Sequence, residues 1–251
     1  MGNIFGFGDS YTQGHKLDTS FPSYKLWKQY LNDKLPDTWI EILGDKLNMD
    51  IHNYGMGGAS NVEIFHTFCK HINEMKKDDI VIINWTFMHR FRWASYDERD
   101  GVTNKFWMSL SCNPENGKYI SESTREEIVL NREHPYYLDE INDYEILIDK
   151  LSSLIGFEVY YWSSIPELIY TLPNDKKLIR KYILSDIILF EGNHVLNGIG
   201  GPFFKMIKNY GGKTIFEETD GFVPDNHLGA SGHRVQSELF YEYIIDKNRN
   251  K

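Results

Sequence analysis

The chain of 251 residues is 41% hydrophobic and 25% charged, an ordinary globular balance with room for one large α/β domain or two small ones. Its net charge of −9 argues against a nucleic-acid surface, which draws on clustered Lys and Arg, and no apolar run is long enough to span a bilayer. The N-terminus opens directly into an apolar segment, without a basic region and cleavage site, so cytoplasmic residence is the default expectation.

The first segment, Asn3-Ile4-Phe5-Gly6-Phe7-Gly8, reads as a strand that ends in Asp9-Ser10, with Gly14 soon after. Gly6 and Gly8 lack a Cβ, so the backbone can turn sharply there and another group can come close. Such a turn exposes the Ser10 hydroxyl at the strand's C-terminal edge, where α/β proteins collect ligands. Ser10 is then a candidate nucleophile in need of a base, or Asp9 and Ser10 simply cap the next helix. A polar stretch follows to Tyr24, and Tyr24 to Leu31 is either a helix or a loop over the site.

Trp39, Ile40, Leu43 and Leu47 have helical spacing, with Asp37 or Thr38 as cap. Met49 to Tyr54 is a second strand, and it runs into the turn Gly55-Met56-Gly57-Gly58. Ser60 or Asn61 caps the helix that follows, with Glu63 completing a capping box. Ile80-Val81-Ile82-Ile83 is a continuous apolar run, as expected of a strand buried on both faces of a parallel sheet. Strand, glycine turn, helix and strand in succession form a βαβ signature.

Beyond Asn84-Trp85-Thr86 the chain is rich in aromatics and cations, and about 95–135 looks like an insertion with a turn at Asn113 to Gly117. Asp139 to Ile155 is helical by spacing, and Phe157 to Trp162 is a further strand. A second, loop-rich insertion follows near 170–212, then Thr214-Ile215-Phe216 as a last short strand and Ser231 to Ile245 as a helix. No repeat or linker divides the chain, so one domain over 1–251 is expected, with insertions near 15–36, 95–135 and 170–212. Cys69 and Cys112 are too few for a disulfide framework. His66 and His71 on one helix point about 140° apart, too far to share an ion.

Ahead of the last helix stands Asp225-Asn226-His227. A histidine on a loop with an acid two residues earlier suits a base and its orienter for Ser10, although both residues also suit a turn. His233 reads as a residue of the helix rather than as the base.

Gly-Asp-Ser near the start, a glycine turn after the second strand, a polar exit from the third and Asp-x-His near the C-terminus together resemble the SGNH (GDSL-type) hydrolase family. The resemblance implies a flavodoxin-like, three-layer α/β/α sandwich with a mainly parallel sheet, hydrolysing esters or transferring acyl groups without cofactor or metal. It implies Ser10 as nucleophile, His227 as base and Asp225 as its acid, with the backbone N–H groups of Ser10 and Gly58 as oxyanion donors. The substrate would be a small-molecule or carbohydrate ester, acetyl esters foremost. Two departures stand out. The family's third-block Asn falls at Met88, which has no N–H to offer, so Asn84, Thr86, His89 or Arg90 would have to substitute, Asn84 being the chemical match. The acid stands two residues before the histidine instead of three. An O-acyltransferase with the same triad, or a noncatalytic carbohydrate-binding member of the fold, would fit the same residues.

Overall fold

The computed structural model describes residues 2–14, 22–86, 90–99, 102–111, 136–163 and 207–249. Four strands, β1 (Asn3–Gly8), β2 (Asp50–Gly55), β3 (Ile80–Trp85) and β6 (Glu158–Ser163), form one sheet in the order β2-β1-β3-β6. Every pairing in it is parallel. β4 (Arg90–Arg99) and β5 (Val102–Ser111) pair antiparallel as a separate hairpin.

Along β3 the side chains alternate between two cores, which explains its unbroken apolar sequence. Ile80 and Ile82 join Ile4, Tyr160 and Trp162 on one face, beneath α3 (Trp39–Leu47) and α7 (Ala230–Arg249). Val81, Ile83 and Trp85 join Phe5, Phe7 and Tyr161 on the other, beneath α4 (Asn61–His71) and α5 (Tyr136–Ile155). The result is a three-layer α/β/α arrangement. On the first face Trp39 packs edge-on against Trp162 and Phe240, with ring centroids 6.0 and 5.0 Å apart. Trp39, Trp162 and Phe240 are fully buried, and each such aromatic removes about 150–250 Å² from water.

The helices start where short-range chemistry dictates. Thr38 and Glu41 form a capping box at α3, Thr38 N–H donating to Glu41 Oε2 at 2.7 Å. Ser60 and Glu63 do the same for α4, as their spacing predicts. Buried Asp79 accepts from Asn3 N–H at 2.7 Å and from Lys76 N–H at 2.9 Å, tying the start of β1 to the turn before β3.

The order β2-β1-β3 places the site. From β1 the chain crosses through α3 to one side, and from β2 it returns through α4 on the opposite face to the far side of β1. The connections therefore diverge at the carboxyl ends of β1 and β3, leaving a crevice there.

Four sequence expectations are refined. Of Tyr24 to Leu31, all but the last residue is helical, within α2 (Pro22–Tyr30), and Leu31 lies in the turn that follows. The stretch 95–135, read as an insertion, contributes parts of the β4–β5 hairpin, while the expected turn at Asn113 to Gly117 lies outside the described residues. Thr214-Ile215-Phe216 is not a strand. Thr214 caps the four-residue helix α6 (Ile215–Glu218) through a box with Glu217, and only an isolated bridge from Thr214 to Leu228 remains strand-like. The β-branched residues there suit a strand, but the cap decides the local backbone. The final helix runs longer than its spacing suggested, from Ala230 to Arg249. Among the described residues no helix is long and apolar enough to cross a membrane.

Candidate active site

β1 ends at Gly8 because nothing larger fits. A Cβ there would collide with Thr12 and stand 2.7 Å from the Asn84 Cβ. The chain then turns into α1 (Ser10–Gln13), with Asp9 as N-cap. The Asp9 carboxylate is fully buried and, among the described residues, accepts from Tyr11 N–H at 3.0 Å, Asn84 Nδ2 at 2.9 Å and Thr86 Oγ1 at 2.6 Å. Two of these donors come from the end of β3, so Asp9 fastens the serine turn to the neighbouring strand. Thr86 is held in turn by Asn61 of α4, which accepts from its N–H at 2.7 Å and donates to its carbonyl at 3.1 Å.

A second clasp comes from β2. Asn53 Nδ2 donates to the Thr12 carbonyl at 2.8 Å and Asn53 Oδ1 accepts from Gly55 N–H at 3.0 Å, joining the end of α1 to the glycine turn. Gly55 lies against the Thr12–Gln13 backbone, and a Cβ on Gly57 would stand 2.8 Å from Gln13 Oε1. Gly58 has φ +76° and open space where a Cβ would point, so its backbone stays accessible.

His227 approaches Ser10 from 217 residues away. Its loop is bound to α6: Ile215 N–H donates to the His227 carbonyl at 2.8 Å and Phe216 N–H to the Asp225 carbonyl at 2.7 Å. Below it, the Glu218 carboxylate accepts from the N–H groups of Ala230 and Ser231 at 2.8 and 2.6 Å, fixing the start of α7. The His227 Nε2 lies 2.9 Å from Ser10 Oγ, and its Nδ1 lies 2.7 Å from Asp225 Oδ1.

The two-residue spacing has a physical basis. Asp225 Oδ1 also accepts from His227 N–H at 2.9 Å, so acid and base share one tight turn. Burial works against the Asp225 charge. It is outweighed by hydrogen bonds and charge interaction with His227 and by a hydrogen bond from Ser23, and the carboxyl falls to about 2. Asp225 is therefore ionised at neutral pH and can only accept. Its bond fixes the proton of a neutral imidazole on Nδ1 and leaves the Nε2 lone pair facing Ser10 Oγ–H. The rings of Tyr11 and Tyr24 flank His227, with centroids 5.1 and 6.1 Å away.

Ser10, His227 and Asp225 thus come together, with the Gly58 turn packed on the same short helix. Asn84 does not join them. It is fully buried with its amide nitrogen committed to Asp9, so it supports the turn from beneath instead of facing a substrate. Met88 and His89 lie outside the described residues. His233, in α7, is buried and accepts from Trp39 N–H at 3.3 Å; burial, then the charge of His227, pushes it down to about 3, which keeps it neutral. Sequence reasoning left unassigned the Thr86 bond to Asp9 and the approach of Ser23 and Tyr24, because all three depend on which strand or helix lies alongside. His71 stacks on Tyr54 at 3.8 Å and pairs with Glu74 at 2.7 Å. Cys69 is a free, exposed thiol, and among the described residues no group of three or more His, Cys, Asp and Glu converges as a metal site.

The fold and the site define an α/β/α protein with a Ser-His-Asp constellation at the carboxyl edge of a parallel sheet. No family model and no curated protein matches this chain. Among solved structures it is similar to one from Desulfitobacterium hafniense DCB-2 that carries the name of a lipolytic protein of the G-D-S-L family. The identity is 12% and the TM-score 0.42, over 97% of this chain and 99% of the other. At that TM-score the likeness carries no weight of its own, and the chemistry rests on the residues just described.

Proposed function

We propose that this chain is a serine esterase acting on small acyl esters, acetyl esters first, with a carbohydrate or other small molecule as the alcohol. One observation carries this reading: Ser10 Oγ, His227 Nε2, His227 Nδ1 and Asp225 Oδ1 form a continuous relay of 2.9 and 2.7 Å. His227 Nε2 takes the Ser10 proton as Oγ attacks the ester carbonyl, and the charge on the carbonyl oxygen is met by the N–H groups of Ser10 and Gly58. The imidazolium, stabilised by Asp225, then protonates the leaving alcohol as the C–O bond breaks. A water molecule next gives a proton to His227 and attacks the acyl-enzyme. The acid departs and Ser10 regains its proton.

A second reading, a noncatalytic carbohydrate-binding protein on the same fold, is favoured by the commitment of Asn84 to Asp9. A missing oxyanion donor costs about 2.7–4 kcal/mol of transition-state stabilisation, enough to leave a weak catalyst.

The test is hydrolysis of a small activated acetate ester by the purified protein, Ser10→Ala and His227→Ala. Turnover in the parent and its loss in both variants is expected. A parent no faster than Ser10→Ala would overturn the esterase reading, and sugar binding retained in that variant would favour the second.

A further inference from the structure

One helix stands outside the three layers and still reaches the site. In α2, Tyr24 and Trp27 join Ile215 and Val223 in a small third core, edged by Leu26, Leu31 and Leu35. Ile215 begins α6 and Val223 precedes Asp225 by two residues, so this core presses α2 onto the acid–base loop. There the Tyr24 ring, only 5% exposed, meets the His227 ring at 68° with centroids 6.1 Å apart. The Tyr11 ring of α1 lies closer to the same imidazole, at 5.1 Å and 42°.

His227 needs such neighbours. Its Nδ1 is held by Asp225, which stands two residues away in the same turn. That bond orients the imidazole relative to its own turn, while the reach of Nε2 to Ser10 depends on what surrounds the ring. The torsion that turns an imidazole about its Cβ–Cγ bond is broad, so packing must narrow it. Both tyrosines are anchored independently of the acid–base turn. Tyr11 N–H donates to Asp9 Oδ1 at 3.0 Å, and its carbonyl accepts from Trp39 Nε1 at 2.9 Å. These bonds use the backbone, so they survive a change of side chain. Tyr24 is anchored by the third core.

We infer, resting on the esterase reading above, that Tyr11 and Tyr24 are positioning residues: their rings brace the His227 imidazole so that Nε2 stays within reach of Ser10 Oγ. The bracing is steric and needs the ring, not the hydroxyl. Both residues act through His227.

The experiment compares the parent with Tyr11→Leu, Tyr24→Leu, Tyr11→Phe and Tyr24→Phe. It measures kcat and KM on an activated acetate ester, and follows the His227 Nδ1–H by proton NMR without substrate, assigned by its absence from His227→Ala. In each leucine variant we expect kcat to fall about 10-fold with KM within about twofold, because a misplaced base slows the chemical step. The Nδ1–H resonance should broaden in both, since the ring then samples more than one orientation. Each phenylalanine variant keeps the ring and should match the parent. Leu31→Ala thins the third core from its edge and should keep kcat within about twofold, which separates loss of the ring from a loosened α2. The inference would be overturned by an undiminished kcat or an unchanged resonance in either leucine variant. A phenylalanine variant as slow as its leucine counterpart, or Leu31→Ala as slow as Tyr24→Leu, would overturn it too. A parent without Ser10-dependent turnover whose resonance still broadens in both leucine variants would sink the esterase reading while supporting the bracing of His227.

Discussion

Replacing Asp9 tests how the serine turn is held. Asp9→Ala removes the acceptor of three donors, of which Asn84 Nδ2 and Thr86 Oγ1 belong to fully buried side chains. Each buried donor left unpaired costs about 1–3 kcal/mol, and Tyr11 N–H adds the loss of a helix cap of about 1 kcal/mol. The sum is about 3–7 kcal/mol, a large share of the 5–15 kcal/mol typical of a folded domain. With a urea slope of about 2–3 kcal/mol per molar, the midpoint should drop by about 1–3.5 M. Asp9→Asn makes the sharper comparison. Its remaining oxygen can keep Tyr11 N–H and Asn84 Nδ2, while its new amide donates to Thr86 Oγ1 once that hydroxyl rotates. It should lose only about 1–2 kcal/mol. Urea unfolding followed by tryptophan fluorescence measures all three proteins. Asp9→Ala within about 1 kcal/mol of the parent, or Asp9→Asn as damaging as Asp9→Ala, would refute the idea that satisfied donors, not shape, make Asp9 necessary.

Two further outcomes follow from the site. The Asp225 carboxyl lies below its ordinary value, near 2, so its contribution is complete above about pH 4 and is lost as pH falls through 2. That contribution is about 2 kcal/mol; the stability gap between the parent and Asp225→Asn should shrink by that amount from pH 5 to pH 2, and a constant gap would refute it. Gly58→Ala meets no atom within 4 Å but must adopt φ +76°, so it should cost about 1–2 kcal/mol. A larger fall in kcat than in stability, read from kinetics beside thermal melts, would show that the Gly58 backbone conformation bears on the transition state; equal falls would show that it does not.

What the sequence determined by itself is what short-range chemistry controls. The run Ile80 to Ile83 announced a strand covered on both faces, and it is buried between two helical layers. Ser60 and Glu63 announced a helix start, because both halves of a capping box lie within four residues. The glycine turns announced close backbone approach, and Gly8 sits against Asn84 and Thr12. The composition of the site was legible for the same reason, since Gly-Asp-Ser and Asp-x-His are local patterns.

Contacts between distant segments were decided only by tertiary structure. Asn84 looked like a donor for a substrate because an amide at a strand end has the right chemistry; parallel pairing of β1 and β3 brings it to Asp9, which claims it. Thr214 to Phe216 looked like a strand by residue type, yet Glu217 within one turn made it a helix start. α2 was open between helix and loop, and its docking through Trp27 onto Ile215 and Val223 brings Tyr24 to His227. A hydrogen bond needs its partner within about 3 Å, and sequence fixes that distance only for neighbours in the chain. For Ser10 and His227, separated by 217 residues, the sheet order and the packing of α6 and α7 set it.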